Sequence, residues 1–300
     1  MKGVHCWQEV KKLNNKMIPR LMVALALASL VSAGFSVSLG TAQEQHAITV
    51  KAEDDAANLL AVDVGWANAT HSGISTTTFT LTGQSGDLDL DAPATYTPDG
   101  SVFYIFAQWI VDGTTYNTPS ITISITTDLE ATAQYAKTLS ISKTLANDAG
   151  VPTPHDANSQ YVDPSNVPLN TVVYFDMEIK VHFYTTATDV KVTDGIGADL
   201  VLDSYAPSFG DVVVGPPGKS KGKMHATKVV WTIGEPVVCE DCTLDLVVYT
   251  GLNPQNKQEY TSYGDHYLNS GPEVCFTYNG IQYDFTGNPV MVTAPEPAVQ

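Results

Sequence analysis

Lys143 is the residue of this chain with the most chemistry open to it. In Leu139-Ser140-Ile141-Ser142-Lys143-Thr144-Leu145 the apolar residues fall on odd positions, so a strand here turns Lys143 to the same side as Leu139 and Ile141. An ammonium on that side must find a partner, reach solvent along its aliphatic stem, or lose its charge. A lysine that loses its charge is a nucleophile.

Three further sets of residues could do chemistry. Cys239-Glu240-Asp241-Cys242 falls in a turn between two expected strands, not at a helix N-terminus, which removes the context of thioredoxin-type exchange. A zinc site would need a second pair, and Cys275 alone does not supply it. In an oxidising exterior one disulfide and one remaining thiol is the simplest state, with Cys275 on a neighbouring strand and able to pair with either Cys239 or Cys242. Asp87, Asp89 and Asp91 alternate in Gly86-Asp87-Leu88-Asp89-Leu90-Asp91, so three carboxylates share one side of a strand. Hard oxygen ligands in a row suit calcium, the one cofactor these residues suggest, although the glycine and distal glutamate of an EF-hand loop are missing. The polar face of an exposed strand is the plainer reading. Asn68-Ala69-Thr70 is a glycosylation sequon.

The seven histidines show no His-x-x-x-His spacing, and neither a Gly-x-Ser-x-Gly elbow nor a phosphate-cradling glycine loop occurs. An enzyme reading therefore has no residue to begin from.

The elements that must position these residues are strands. Short runs rich in Val, Ile, Thr, Tyr and Phe alternate with Gly, Pro, Asn and Asp clusters, which predicts an all-β chain of antiparallel sandwiches. Ile121, Ile123 and Ile125 take one face of their strand. Val173, Phe175, Met177, Ile179, Val181 and Phe183 take one face of a longer one, leaving Asp176 and Glu178 on the polar side. Trp109 anchors an N-terminal core, and Asp112-Gly113 is a hairpin turn. Residues 59–75 give no clear strand. Residues 147–168, rich in Pro, Asp and Asn, read as a long surface loop, and residues 215–223 as a lysine-bearing hairpin tip. Residues 137–142 join the two halves without a flexible spacer.

Lys2, Lys11, Lys12, Lys16 and Arg20 precede the uncharged residues 21–42, the pattern of a secretory signal helix. Val31-Ser32-Ala33 and Gly40-Thr41-Ala42 offer cleavage sites, the second slightly preferred; an uncleaved anchor is the alternative and would be the only membrane contact. The formal charge is −17, and Arg20 is the only arginine, so nucleic acid is excluded as a partner.

Residues 138–292 carry Ala187-Thr188-Asp189-Val190-Lys191-Val192-Thr193-Asp194, Val229-Val230-Trp231-Thr232-Ile233-Gly234, Thr243-Leu244-Asp245-Leu246-Val247-Val248 and Tyr267-Leu268-Asn269-Ser270-Gly271 in that order. This succession resembles a recurring extracellular β-sandwich repeat of bacterial and archaeal surface proteins, a domain of unknown function. Residues 46–136, with Tyr104 to Gly113 and Asp128 to Tyr135, resemble the small surface repeats that include internalin-type B repeats. The resemblances imply two tandem Ig-like antiparallel β-sandwich domains, residues 43–136 and 137–292, between a signal helix at 1–42 and a short tail at 293–300. They also imply a secreted, non-enzymatic surface or matrix component acting in adhesion or in filament or envelope assembly, with itself, other surface proteins or polysaccharide as partners. The alternative expectation is a secreted carbohydrate- or calcium-binding module, in which Trp66, Tyr161 and Tyr205 would stack on sugar. Domains similar to the second one sometimes join a first-strand lysine to a last-strand asparagine as an isopeptide, which makes Lys143 and Asn269 the candidates and leaves the catalytic acid unidentified.

Overall fold

Alternation of apolar and polar residues with a period of two dictates strands, and strands are what the chain forms. The structure, a computed structural model, describes residues 44–146, 153–169, 171–197, 200–215, 219–220, 223–224, 228–235, 241–250, 264–268 and 271–294. Among them are β1 (His46–Asp54), β2 (Asp63–Asn68), β3 (Ser72–Thr76), β4 (Phe79–Gln84), β5 (Gly86–Asp91), β6 (Thr95–Tyr96), β7 (Val102–Val111), β8 (Thr114–Tyr116), β9 (Ser120–Ile125) and β10 (Leu129–Leu145). The chain continues through β11 (His155–Asp156), β12 (Val173–Phe183), β13 (Thr188–Gly195), β14 (Leu200–Pro207), β15 (Asp211–Val214), β16 (Lys219–Ser220) and β17 (Lys223–Met224). It ends with β18 (Lys228–Gly234), β19 (Asp241–Thr250), β20 (Gly264–Tyr267), β21 (Glu273–Tyr278), β22 (Ile281–Thr286) and β23 (Met291–Ala294). The described residues hold no helix, and the expected signal segment, residues 21–42, lies outside them.

One strand organises the rest. β10, 17 residues long, pairs in parallel with β1 over Leu129–Tyr135, antiparallel with β7 over Ala131–Ser140, and antiparallel with β12 over Leu139–Leu145. It thereby belongs to two apolar clusters in succession. In the first, Ile48, Val50, Trp109, Ala131, Ala133 and Tyr135 from the large sheet pack against Val64, Leu88, Leu90, Ile121, Ile123 and Ile125 from the sheet β3-β2-β5-β9. In the second, Leu139, Ile141, Phe175, Ile179, Leu244 and Leu246 pack against Val190, Val192, Trp231, Val274 and Phe276 of the sheet β15-β18-β13-β21-β22. Residues Glu44–Gln300 form one compact unit around these two clusters.

The halves interlock at their junction. Phe103, on β7, is buried in the second cluster, edge-on to Phe276 at 5.5 Å and close to Tyr283 and Phe285. The Ile141 N–H donates to the Ser101 carbonyl at 2.7 Å, and the Asn288 amide donates to the Asp99 carbonyl at 2.9 Å.

Several local features differ from expectation. Residues 59–75 hold β2 and β3, where the apolar signal is thin because β3 is largely exposed and Gly65 and Gly73 interrupt it. The stretch 147–168 is not simply a surface loop over its described part. β11 pairs with β12, Val167 is buried, and its N–H donates to the Thr293 carbonyl at 3.0 Å. Asp112 and Gly113 both have positive φ, 46° and 80°, as a two-residue hairpin between β7 and β8 requires.

Phe103→Ala should therefore destabilise the C-terminal cluster although the residue lies in the N-terminal half. A loss of about 3 to 5 kcal/mol in denaturant unfolding is expected for a fully buried phenylalanine; a loss no larger than that of a surface substitution would show that the halves do not share this contact.

Candidate functional site

β10 and β13 face each other across the second sandwich, one in each sheet. The alternation of β10 carries Leu139, Ile141 and Lys143 inward; that of β13 carries Val190, Val192 and Asp194 inward, followed by Ile196. The two charged residues thus meet in an apolar layer. The Lys143 Nζ donates to Asp194 Oδ2, and the side chains are 0% and 1% exposed. What exposure Lys143 has is in its main chain, since the residue as a whole is half-buried. Burial pushes the Lys143 amine below its ordinary value of 10.5, opposed by the charge and hydrogen bond of Asp194.

The carboxylate beside Lys143 therefore comes from β13 and not from β12. Asp176 and Glu178 do lie on the outer phase of β12, but Asp176 is buried there instead of exposed, its carboxylate 3.8 Å from the His155 ring nitrogen. The described part of the 153–169 stretch covers it. Asp194 comes from the facing sheet, and a signal for it exists: it continues the phase of Val190 and Val192.

Asn269 lies outside the described residues, but its neighbours on both sides reach the surroundings of the pair. The Gly197 N–H, three residues past Asp194, donates to the Leu268 carbonyl at 2.9 Å. On the other side, Gly287 donates to the Pro272 carbonyl at 2.8 Å, and a Cβ added at Gly287 would stand 2.9 Å from Ile141 Cγ2.

The remaining candidates separate. Cys242 is buried on β19 of the large sheet, whereas Cys275 is on β21 of the facing sheet, accepting from the Gln282 amide at 2.7 Å. The expectation of neighbouring strands fails because β19 and β21 belong to opposite layers, and no disulfide joins Cys242 to Cys275. Cys239 is outside the described residues. Asp87, Asp89 and Asp91 lie on the outer face of β5, each accepting a hydrogen bond from a hydroxyl of β9: Ser124 and Thr122 at 2.6 Å and Ser120 at 2.5 Å. Among the described residues no group of three or more His, Cys, Asp or Glu is arranged to hold a metal ion. The Asn68 amide donates to Gln84 while its carbonyl accepts from the main chain of Thr70 and His71. Trp66, expected on the surface, is half-buried: its indole donates to Ser75 at 3.2 Å and stacks over Gly73. Tyr161 and Tyr205 are exposed.

No protein-family model matches the chain. An uncharacterized protein of Archaeoglobus fulgidus is 31% identical over 130 residues, 43% of this chain and 44% of that protein, so the match spans less than half of that relative's length. Among solved structures, the major pilin SpaD of Corynebacterium diphtheriae is similar with a TM-score of 0.45 at 11% identity, over 83% of this chain and 66% of the pilin. BcpA, the major pilin subunit of Bacillus cereus, is similar with a TM-score of 0.33 at 12% identity, over 84% and 69%. A cohesin module from a Clostridium perfringens family 33 glycoside hydrolase is similar with a TM-score of 0.31 at 11% identity, over 53% and 98%. No helix among the described residues is long and apolar enough to cross a membrane.

Removing one member of a buried ion pair strands the other in an apolar layer. Asp194→Ala should cost about 3 to 5 kcal/mol of unfolding free energy in chemical denaturation. A cost below about 1 kcal/mol would mean that Lys143 escapes to solvent.

Proposed function

We propose that this protein is an exported, non-enzymatic structural component of a cell surface or extracellular matrix, and that Lys143, Asp194 and Asn269 form an internal cross-link in its second sandwich. The observation that carries this reading is the ion pair of Lys143 and Asp194, closed off from water between two sheets. A pair in that position is a poor stabiliser by itself, because desolvation offsets most of the attraction. It is, however, what amide formation requires: an amine driven toward neutrality beside a carboxylate able to carry a proton.

In the proposed step Asp194 takes the proton of Lys143. The Nζ lone pair attacks the side-chain carbonyl carbon of Asn269 and the new C–N bond forms; Asp194 gives the proton it took to Nδ2, the bond to Nδ2 breaks and ammonia leaves, and the carboxylate of Asp194 then accepts the second proton that Nζ sheds as the amide forms. Nothing is oxidised or reduced. The product closes a loop over most of the second sandwich and restricts the unfolded chain as a disulfide does, by about 2 to 5 kcal/mol on that analogy. A non-enzymatic surface protein gains resistance to unfolding and proteolysis from such a bond without needing an oxidising environment.

Intact-protein mass spectrometry under denaturing, reducing conditions should find the chain lighter by one ammonia, with Lys143 and Asn269 in one branched peptide after digestion. A mass with no ammonia lost would falsify the bond. A second readout is stability against pH. In an Asn269→Ala chain Lys143 stays an amine whose folded-state pKa lies below 10.5, so the unfolded chain binds more protons in that window. Stability of this variant should rise with pH up to about 10.5 and then level off, an increment absent from the cross-linked parent.

A further inference from the structure

β9 ends the sheet β3-β2-β5-β9, pairing with β5 on one side and, among the described residues, with no strand on the other. Six residues of unshifted register leave a straight edge whose outward main-chain groups are available to another strand. Edges of this kind are usually guarded by lysine, proline or a bulge. β9, Ser120-Ile121-Thr122-Ile123-Ser124-Ile125, has none of these. Its inner side is apolar and its outer hydroxyls are already engaged by the carboxylates of β5, so no charge stands on the edge strand itself.

The chain contains a segment with the same alternation. Upstream of β1, Phe35-Ser36-Val37-Ser38-Leu39-Gly40 puts Phe35, Val37 and Leu39 in one phase and serines in the other. As a strand it would continue Ile121, Ile123 and Ile125 with apolar side chains on one face and Thr122 and Ser124 with hydroxyls on the other.

We infer that residues 34–40 add as a strand to the β9 edge of a second copy of this protein. The direction of β1 favours a second copy over the same one. β1 enters the first sandwich at the end where β9 leaves it, for the Ala47 N–H donates to Asp128, just past β9, at 2.8 Å. A strand continued upstream of β1 leads away from its own β9; to lie along that edge it would have to reverse within residues 40–45 and run parallel to β9. A neighbouring copy receives it without a turn. Each copy then offers one tail and one edge, a head-to-tail contact that repeats and builds a filament. The inference rests on the reading of this protein as an exported structural component and requires the exported chain to begin at Gly34, so that Ala33 and not Ala42 is the processing site.

The test uses exported full-length protein and its Val37→Asp variant, a change outside both sandwiches. N-terminal sequencing should read Gly34, the parent should form polymers by light scattering and electron microscopy, and the variant should be a folded monomer. A peptide of residues 34–42 added to the variant should slow hydrogen exchange of the β9 amides, while the same peptide carrying Val37→Asp should not. The inference is overturned by a mature chain starting at Gln43, by a variant that polymerises like the parent, by a monomeric parent whose own tail protects β9, or by protection at another edge. Ammonia loss is read on the same samples. Its presence in a variant that still polymerises leaves the structural reading standing and removes only the tail, whereas its absence with loss of polymer removes the cross-link and keeps the tail.

Discussion

Every layer of the described structure is hung on β10. A single extended segment pairs in turn with β1, β7 and β12, and so contributes an inward face to each of the two apolar clusters. A slip of one residue would turn Ala131 and Ala133 outward in the first half of the strand, or Leu139 and Ile141 in the second. Of the register shifts that β10 shows against β7, the one between Gln134 and Tyr135 falls within the first cluster, and the one between Lys137 and Leu139 falls where the strand passes from the first cluster to the second. Phe103 and the main-chain bond from Ile141 to Ser101 fasten the same place from the β7 side. The junction therefore behaves as packed core and not as a linker.

The same phase rule puts Lys143 inside. Having committed Leu139 and Ile141 to the core, β10 cannot turn Lys143 outward without a bulge, and against β12 the register runs without a shift from Leu139 to Leu145. β13 is under the matching constraint at Val190, Val192 and Asp194. Two strands of opposite sheets each carry one charged residue in an otherwise apolar phase, and the sandwich brings the two together. Each charge is tolerable only because the other is present. That mutual dependence is the physical reason the proposed chemistry is placed here and not on the exposed pairs, such as Lys180 with Asp241, where solvent screens both partners.

Period-two patterning makes the strands, their inward faces and the inward position of Lys143 legible from residues alone. What patterning leaves out is which strands become neighbours. Cys242 and Cys275 fall in sequence on strands that look adjacent, but β19 and β21 are assigned to different sheets, a long-range outcome that no local spacing records. Asp194 escapes for a related reason. Its inward phase is visible in Val190-Lys191-Val192-Thr193-Asp194, yet its relevance to Lys143 depends on β13 crossing to the facing sheet. Trp66 and Asp176 show the converse limit. Alternation sets the side of a strand on which a residue lies, while burial on the outer side depends on what is laid over it: Gly73 and Ser75 of β3 for the indole, the 153–169 stretch for the carboxylate.

Charge is distributed so that it guards faces and leaves an edge open. With acidic residues in twofold excess over basic ones, copies repel at the separations over which surface charge is felt, about 10 Å at moderate ionic strength. On the β3-β2-β5-β9 sheet the carboxylates of Asp87, Asp89 and Asp91 stand one strand in from the edge and are held there by the hydroxyls of β9. Face-to-face stacking of two such sheets would oppose like charges directly. Edge addition to β9 would not, because an added strand meets hydroxyls on the outer side, isoleucines on the inner side, and main-chain donors and acceptors between them. The net negative charge thus disfavours face-to-face association without opposing the proposed contact at the β9 edge, and higher salt should relax the first without strengthening the second, since main-chain hydrogen bonds and apolar contact would carry it.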